Sequence, residues 1–229
     1  MKTNDLEHVF FDLDHTLWDF DKNSELTFRT IFEKHHIMVN FDSFIESYKP
    51  INLKYWRLYR TNQISKEALR FNRLQEVFNS VGYAVSDETI NSLVDDYIAY
   101  LSTFTNLFEG TIELLNYLKS KYTLHIITNG FTEGQTKKMK NSGLLPFFAS
   151  VTDAEMVGVK KPNPIIFNKA LQKANAKISN SIMIGDSYEA DVMGAINMGL
   201  AAIFFNPEHL ENPNKIKEVS ALLQLKNFL

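Results

Sequence analysis

Hydrophobic and polar positions follow two regimes along the chain. Five short apolar runs stand well apart at Val9–Leu13, Tyr122–Thr128, Phe147–Thr152, Ser181–Gly185 and Ala201–Phe205. Each is too short for a stable helix and rich in branched and aromatic residues, which predicts buried strands. Between the later runs the spacing lengthens to that of a helix. TIELLNYLKSK sets Ile112, Leu115 and Leu118, or Leu114 and Leu118, on one side, with lysines in its last turn. PIIFNKALQKANA sets Ile166, Ala170 and Ala174 on one stripe behind Pro164. Strands alternating with helices predict an α/β fold, a parallel sheet covered on both faces.

Residues 20–105 break the alternation. Four helical patterns follow one another at Ser24–His36, Asp42–Arg60, Lys66–Val81 and Asp87–Phe104. Ser65 and Ser86 occupy N-cap positions with acids in the turn that follows, and Gly82 stops the third pattern. Pro50 should kink or divide the second. The aromatics Tyr55, Trp56 and Tyr59 read as bundle core. The chain therefore reads as two modules: residues 1–16 and 107–229 as the strand-containing core, and residues 17–106 as an inserted helical bundle. Leu17–Lys22 and Thr105–Gly110 are the linkers between them.

Composition narrows the classes. At 229 residues with 45% hydrophobic residues there is material for one sizeable domain carrying an insertion. A formal charge of −3 gives no drive toward nucleic acid or an anionic membrane. Absence of cysteine excludes disulfides, thiolate metal sites and a cysteine nucleophile, and agrees with a reducing compartment. The first residues lack the apolar stretch of a signal peptide, and no window approaches a membrane span, so a soluble cytoplasmic protein is expected.

Four signals stand at or just after predicted strand ends, where open parallel sheets keep their ligands. In D12-L-D14-H-T16 the two acids face the same way on an extended chain. T128-N-G130 joins a hydroxyl to a tight turn, GVKKPNP brings Lys160 and Lys161, and G185-D186-S-Y-E-A-D191 leads from a strand into a helix. Carboxylates crowded together raise one another's pKa values, and a hard cation such as Mg2+ removes the repulsion. Metal clamp, phosphate donors, a carboxylate nucleophile and a second carboxyl to move the proton together describe phosphoryl transfer.

In this order the four signals resemble those of the haloacid dehalogenase-like (HAD) hydrolase superfamily, and the insertion after the first resembles its helical, type-one cap. LWDFDKN, ITNGFTEGQTKKMKNSGLLPFF, VGVKKPNPIIF and GDSYEADVMGAINMGL further resemble the bacterial pyrimidine 5'-nucleotidases of that superfamily. The resemblance implies a doubly wound core of strand order 3-2-1-4-5. It makes Asp12 the nucleophile that becomes a phospho-aspartate and Asp14 the general acid and base. Asp12, the backbone carbonyl of Asp14, and Asp186 would hold Mg2+. Thr128 and Lys161, with backbone N–H groups near Asn129, would bind phosphate, and Asp191 would play a supporting part. Because expelling a halide needs no proton, Asp14 argues for an oxygen leaving group. The implied activity is hydrolysis of a phosphate monoester, with a pyrimidine nucleoside 5'-monophosphate leading. A sugar-phosphate phosphatase or phosphomutase, a dehalogenase and a non-enzymatic phospho-receiver are the competing readings. The partner expected is a small phosphate ester, without nucleic-acid polymer or membrane, for a monomer or weak homodimer.

The remaining candidates carry plainer expectations. Trp18 and Phe20, beside the first strand, offer flat surfaces on which a base could stack. Asp19 and Asp21 read as linker and helix-start acids. His15 should face away from Asp14 by strand alternation. Lys160 and the run K137-K-M-K140 read as solvated.

Overall fold

The computed structural model describes residues 5–229. It divides into two compact units, one running up to Phe20 and from Thr105 to Leu229, the other Asp21–Phe104.

In the first unit six strands form one sheet: β1 (His8–Phe11), β2 (Thr123–Thr128), β3 (Ser150–Asp153), β4 (Ser181–Gly185), β5 (Ala201–Phe205) and β6 (Glu218–Val219). Their order is β3-β2-β1-β4-β5-β6, every neighbouring pair parallel. The expected 3-2-1-4-5 order is thus extended by one strand. β6 has two residues, too few to show any periodicity, and pairs Val219 with Phe205. The parallel strands read as unbroken apolar runs because both faces are covered. On one face Phe10, Ile127 and Met183 pack against Ile166, Phe167, Ala170 and Leu171 of α7 (Pro164–Ala174). Full burial of each large side chain contributes about 1.5–3 kcal/mol. In α5 (Thr111–Lys119) the buried set is Leu114, Leu115 and Leu118, while Ile112 is exposed. The Ile112-containing stripe is therefore corrected in favour of the Leu114 one.

The second unit carries the helical insertion: α1 (Phe20–Lys34), α2 (Phe41–Arg60), α3 (Lys66–Ser80) and α4 (Asp87–Leu101). Ser65 and Ser86 accept from the backbone N–H of Ala68 and Thr89, both at 3.1 Å, as N-caps do. Pro50 does not divide α2, which runs from Phe41 to Arg60 with Phe44 and Tyr48 buried before it and Asn52 after it. Packing on both sides offsets the backbone hydrogen bond that proline omits. The aromatic core is Phe28, Phe32, Phe44, Tyr48, Phe78 and Tyr97, with Phe28 ring centroids 5.0, 4.7 and 4.9 Å from those of Phe44, Tyr48 and Tyr97. Tyr55, Trp56 and Tyr59, expected in that core, are only half-buried. The Tyr55 hydroxyl instead donates to Glu76 at 2.9 Å. Among the described residues no helix is long and apolar enough to cross a membrane.

Candidate active site

The chain leaves β1 toward β2 and β3 on one side and returns to β4, β5 and β6 on the other. The sheet order therefore reverses around β1, and the crevice beyond the carboxyl ends of β2, β1 and β4 is where such sheets take ligands. Asp12 follows β1 directly, Thr128 ends β2, and Asp186 follows β4. Strand adjacency alone brings three of the four signals together.

Asp12, Asp186 and Asp191 each present a carboxylate oxygen, and these atoms lie within 4.8 Å of one another. Lys161, 1% exposed, enters between them: its ammonium is 2.5 Å from Asp12 Oδ1, 2.6 Å from Asp191 Oδ1 and donates to the Ile127 carbonyl at 2.6 Å. The contacts to Asp12 and Ile127 are hydrogen bonds, and Asp191 faces the same ammonium as an ion pair. The backbone of Lys161 is fixed by Asn129, whose side-chain oxygen accepts from the Lys161 N–H at 2.7 Å and whose amide donates to the Lys161 carbonyl at 3.0 Å. Asn129, expected near phosphate through its backbone, thus also holds Lys161. Lys160 is only partly buried, unlike Lys161.

Asp191 lies in a single π-helical turn, Tyr188–Met193, a feature that frequently marks functional sites. Its second oxygen accepts from the Ser187 N–H at 3.0 Å. A Cβ on Gly185 would fall 2.3 Å from Asp191 Oδ2, so the close approach needs glycine. Thr16, wholly buried, donates to Asp186 Oδ1 at 2.9 Å and accepts from the Asp186 N–H at 3.1 Å.

Burial pushes Asp12 well above the ordinary carboxylate range; Lys161 opposes the rise, and Asp191 and Asp186 add to it. Asp186 is pushed up to about 7, by burial first and then by Asp191, against the hydrogen bond from Thr16. Burial would lower the Lys161 ammonium, but Asp12 and Asp191 overcome this and hold it above its usual value. With Asp14 and Lys138 included, four carboxylates face two ammonium groups. An oxygen-only donor set with two negative charges in excess fits a hard divalent cation.

Asp14 stands apart from the cluster of three. Gln135 donates to its Oδ2 at 2.9 Å, and Lys138 lies 2.6 Å from its Oδ1. Both come from α6 (Thr132–Asn141) and both are buried, Lys138 at 5% exposure. The expectation that Lys138 is solvated is thereby corrected; Lys137 and Lys140 remain exposed. Buried positions Gln135, Lys138 and Met139 mark the inward face of α6. A polar helix after a strand-end motif is the one signal from which that face is readable.

Trp18 is wholly buried and Phe20 nearly so, and the Lys138 ammonium sits 4.3 and 5.3 Å from their ring centroids. The ring face expected to be free for a base is taken by that ammonium. His15 does not follow strand alternation, because β1 ends at Phe11 and residues 13–18 turn: Leu17 and Trp18 both donate to the Leu13 carbonyl, and His15 has φ 62°. Its ring packs on Phe20 instead. Asp21 pairs with Lys49 at 2.9 Å, and the backbone of Asp19 donates to Asn106, so neither joins the carboxylate cluster.

The model of the haloacid dehalogenase-like hydrolases matches residues 6–199. The chain is 32% identical to the pyrimidine 5'-nucleotidase PynA of Streptococcus pneumoniae over 96% of its own length and 92% of the relative's. It is 32% identical to the pyrimidine 5'-nucleotidase YjjG of Escherichia coli over 96% of both chains. The magnesium-bound crystal structure of the HAD-hydrolase YfnB of Bacillus subtilis superimposes with a TM-score of 0.88 at 28% identity, covering 98% of each chain. With its sheet order, its carboxylate cluster and these matches, the chain belongs to the haloacid dehalogenase-like hydrolases.

Proposed function

We propose that this hydrolase is a Mg2+-dependent phosphate monoester hydrolase that works through a phospho-aspartate and acts on nucleoside 5'-monophosphates, those of pyrimidines foremost. The observation that carries the reading is the Asp12–Lys161–Asp191 chain of contacts, 2.5 and 2.6 Å long, set beside Asp186 and Thr128 at the carboxyl ends of adjacent strands. The nucleotide preference rests on the two relatives named as pyrimidine 5'-nucleotidases. Asp14 supports an oxygen leaving group over a halide.

Asp12, the backbone carbonyl of Asp14, and Asp186 would hold Mg2+, with Asp191 behind them. When bound, the cation neutralises charge on the substrate phosphate and lowers the repulsion between it and Asp12. An Asp12 oxygen attacks phosphorus as the bond to the ester oxygen breaks, and Asp14 gives its proton to the departing alkoxide. Asp14 then takes a proton from water, whose oxygen attacks phosphorus of the phospho-aspartate. Inorganic phosphate leaves and the Asp12 carboxylate is restored. Lys161 fixes Asp12 in line throughout, and the Thr128 hydroxyl and N–H groups around Asn129 take the remaining phosphate oxygens.

Release of phosphate from a panel of nucleoside 5'-monophosphates and sugar phosphates, with and without Mg2+, tests the reading. Mg2+-dependent release is expected from uridine and thymidine monophosphates, with Asp12→Asn inactive and Asp14→Asn at least ~10²-fold slower. Activity confined to sugar phosphates would refute the nucleotide preference and spare the chemistry. Turnover by Asp12→Asn would refute the covalent route.

A further inference from the structure

Two residues of α6 occupy the space between the first two signals. The Gln135 side-chain amide donates 2.9 Å to Asp14 Oδ2 and 2.7 Å to Thr128 Oγ1, spending its two N–H groups on one residue from each signal. A Cβ on Gly130 would meet Gln135 Nε2 at 2.2 Å, so only a glycine there leaves room for this bridge. Lys138, three positions further along the same helix face, ion-pairs with the other Asp14 oxygen at 2.6 Å. Its ammonium is seated on Trp18 and Phe20, a cation–π contact that fixes its place.

Two consequences follow from donor counting. Both oxygens of Asp14 have a donor, which fixes the plane of the carboxyl group as well as its position. Thr128 Oγ1 accepts twice, from Gln135 and from the Gly130 N–H at 3.0 Å. A hydroxyl has two acceptor positions and one donor, so its proton is directed away from both partners. Among the described residues no protein acceptor takes that proton, and an anion entering the crevice would.

We propose that Gln135 and Lys138 are positioning residues for the phosphoryl transfer: together they hold the Asp14 carboxyl for proton transfer, while Gln135 also turns the Thr128 hydroxyl outward as a donor. The inference rests on the phosphatase reading and deepens it. The pair holds the carboxyl in one place and one plane, and a displacement of an ångström can remove most of the benefit of a positioned group.

The leaving group separates positioning from mere support of the fold. Protonation by Asp14 matters for an alkoxide and little for p-nitrophenolate, which departs unprotonated. Steady-state rates for Gln135→Ala, Gln135→Asn, Lys138→Met and Lys138→Arg are compared on p-nitrophenyl phosphate and on whichever of uridine 5'-monophosphate and ribose 5-phosphate the wild type hydrolyses faster. Gln135→Ala and Lys138→Met are expected to lower kcat/KM, which reads the steps up to departure of the alcohol and not the water attack that both esters share, at least ~10-fold more on the alkyl ester than on p-nitrophenyl phosphate, the lower end of a lost acid–base contribution. Lys138→Arg is expected to recover part of the loss. Gln135→Asn, which keeps the amide but shortens its reach, should resemble Gln135→Ala and stands in for it if that variant does not fold. Equal losses on both esters, or unchanged rates in folded variants, would overturn the inference. Failure of the wild type on every ester would instead overturn the phosphatase reading beneath it.

Discussion

Thr16 and Asp186 exchange two hydrogen bonds across 170 positions of the chain, one from the hydroxyl to Oδ1 at 2.9 Å and one from the Asp186 N–H back to the hydroxyl at 3.1 Å. The pair ties the turn after β1 to the end of β4 and fixes the rotamer of a carboxylate that would hold the cation. Thr16→Val keeps the shape and removes both bonds. We expect the Mg2+ concentration for half-maximal activity to rise ~10-fold or more, as loss of an orienting partner behind a metal ligand does. The orphaned N–H should lower stability by about 1–3 kcal/mol. A Mg2+ titration of activity beside urea unfolding checks both; an unchanged Mg2+ requirement would show that Asp186 is oriented without Thr16.

Lys161 is the counter-charge of two buried acids. Lys161→Met leaves Asp12 and Asp191 facing each other, and breaking a buried pair from one side costs about 3–5 kcal/mol. Adding Asp191→Asn removes one of the stranded charges, so the double variant should be more stable than Lys161→Met alone, a non-additivity expected of residues in direct contact. Urea unfolding of the two single variants and the double one in metal-free buffer reads the coupling. Additive losses would mean that the 2.6 Å contact between Lys161 and Asp191 carries no energy.

The raised Asp186 sets a direction with pH. Its pKa, about 7 in the fold against about 4 for a free aspartate, means that the folded state holds a proton which the unfolded chain has lost. Metal-free stability should therefore rise as pH falls through 7 toward 4 as far as Asp186 contributes. The cation needs the deprotonated carboxylate, so proton and metal compete. The increase in Tm on adding Mg2+ should be larger at pH 8 than at pH 6. Thermal unfolding at both values, with Mg2+ and with chelator, tests this; an equal shift would place the relevant carboxylate pKa well below 6.

How much of this was legible in the sequence divides by the distance over which each signal acts. Ser181–Gly185 and Ala201–Phe205 match the observed strands because an unbroken apolar run is a local property. Ser65 and Ser86 cap their helices because a cap involves residues three apart. Asp12, Thr128 and Asp186 were grouped because their strand-end motifs are short and ordered, and neighbouring parallel strands bring them together; Lys161, well beyond the end of β3, was named only through the family resemblance. The contacts of Gln135 and Lys138 with Asp14, and of Thr16 with Asp186, were missed. Each residue sits in a stretch whose local pattern reads as polar surface or turn, and its partner lies more than a hundred positions away, save Thr128. β6 escaped because two residues show no period.

Trp18 shows how burial revises a functional expectation. Its ring is wholly inside the first unit, with the Lys138 ammonium 4.3 Å above it and Phe20 6.2 Å away, edge to face. No ring face is left for a base, so under the proposed mechanism Trp18 would act only through Lys138 and the packing of the β1 turn. Trp18→Ala should cost about 3–5 kcal/mol of stability, the usual range for emptying a buried aromatic site. KM for uridine 5'-monophosphate and for p-nitrophenyl phosphate should then move together, since neither ligand loses a stacking partner. Trp18→Phe, which retains an aromatic face under the ammonium, should recover most of the stability and the activity. Steady-state kinetics on both esters beside urea unfolding separate the two roles. A KM that rises for the nucleotide alone would restore Trp18 as a surface for the base and require the ring to be uncovered when substrate binds.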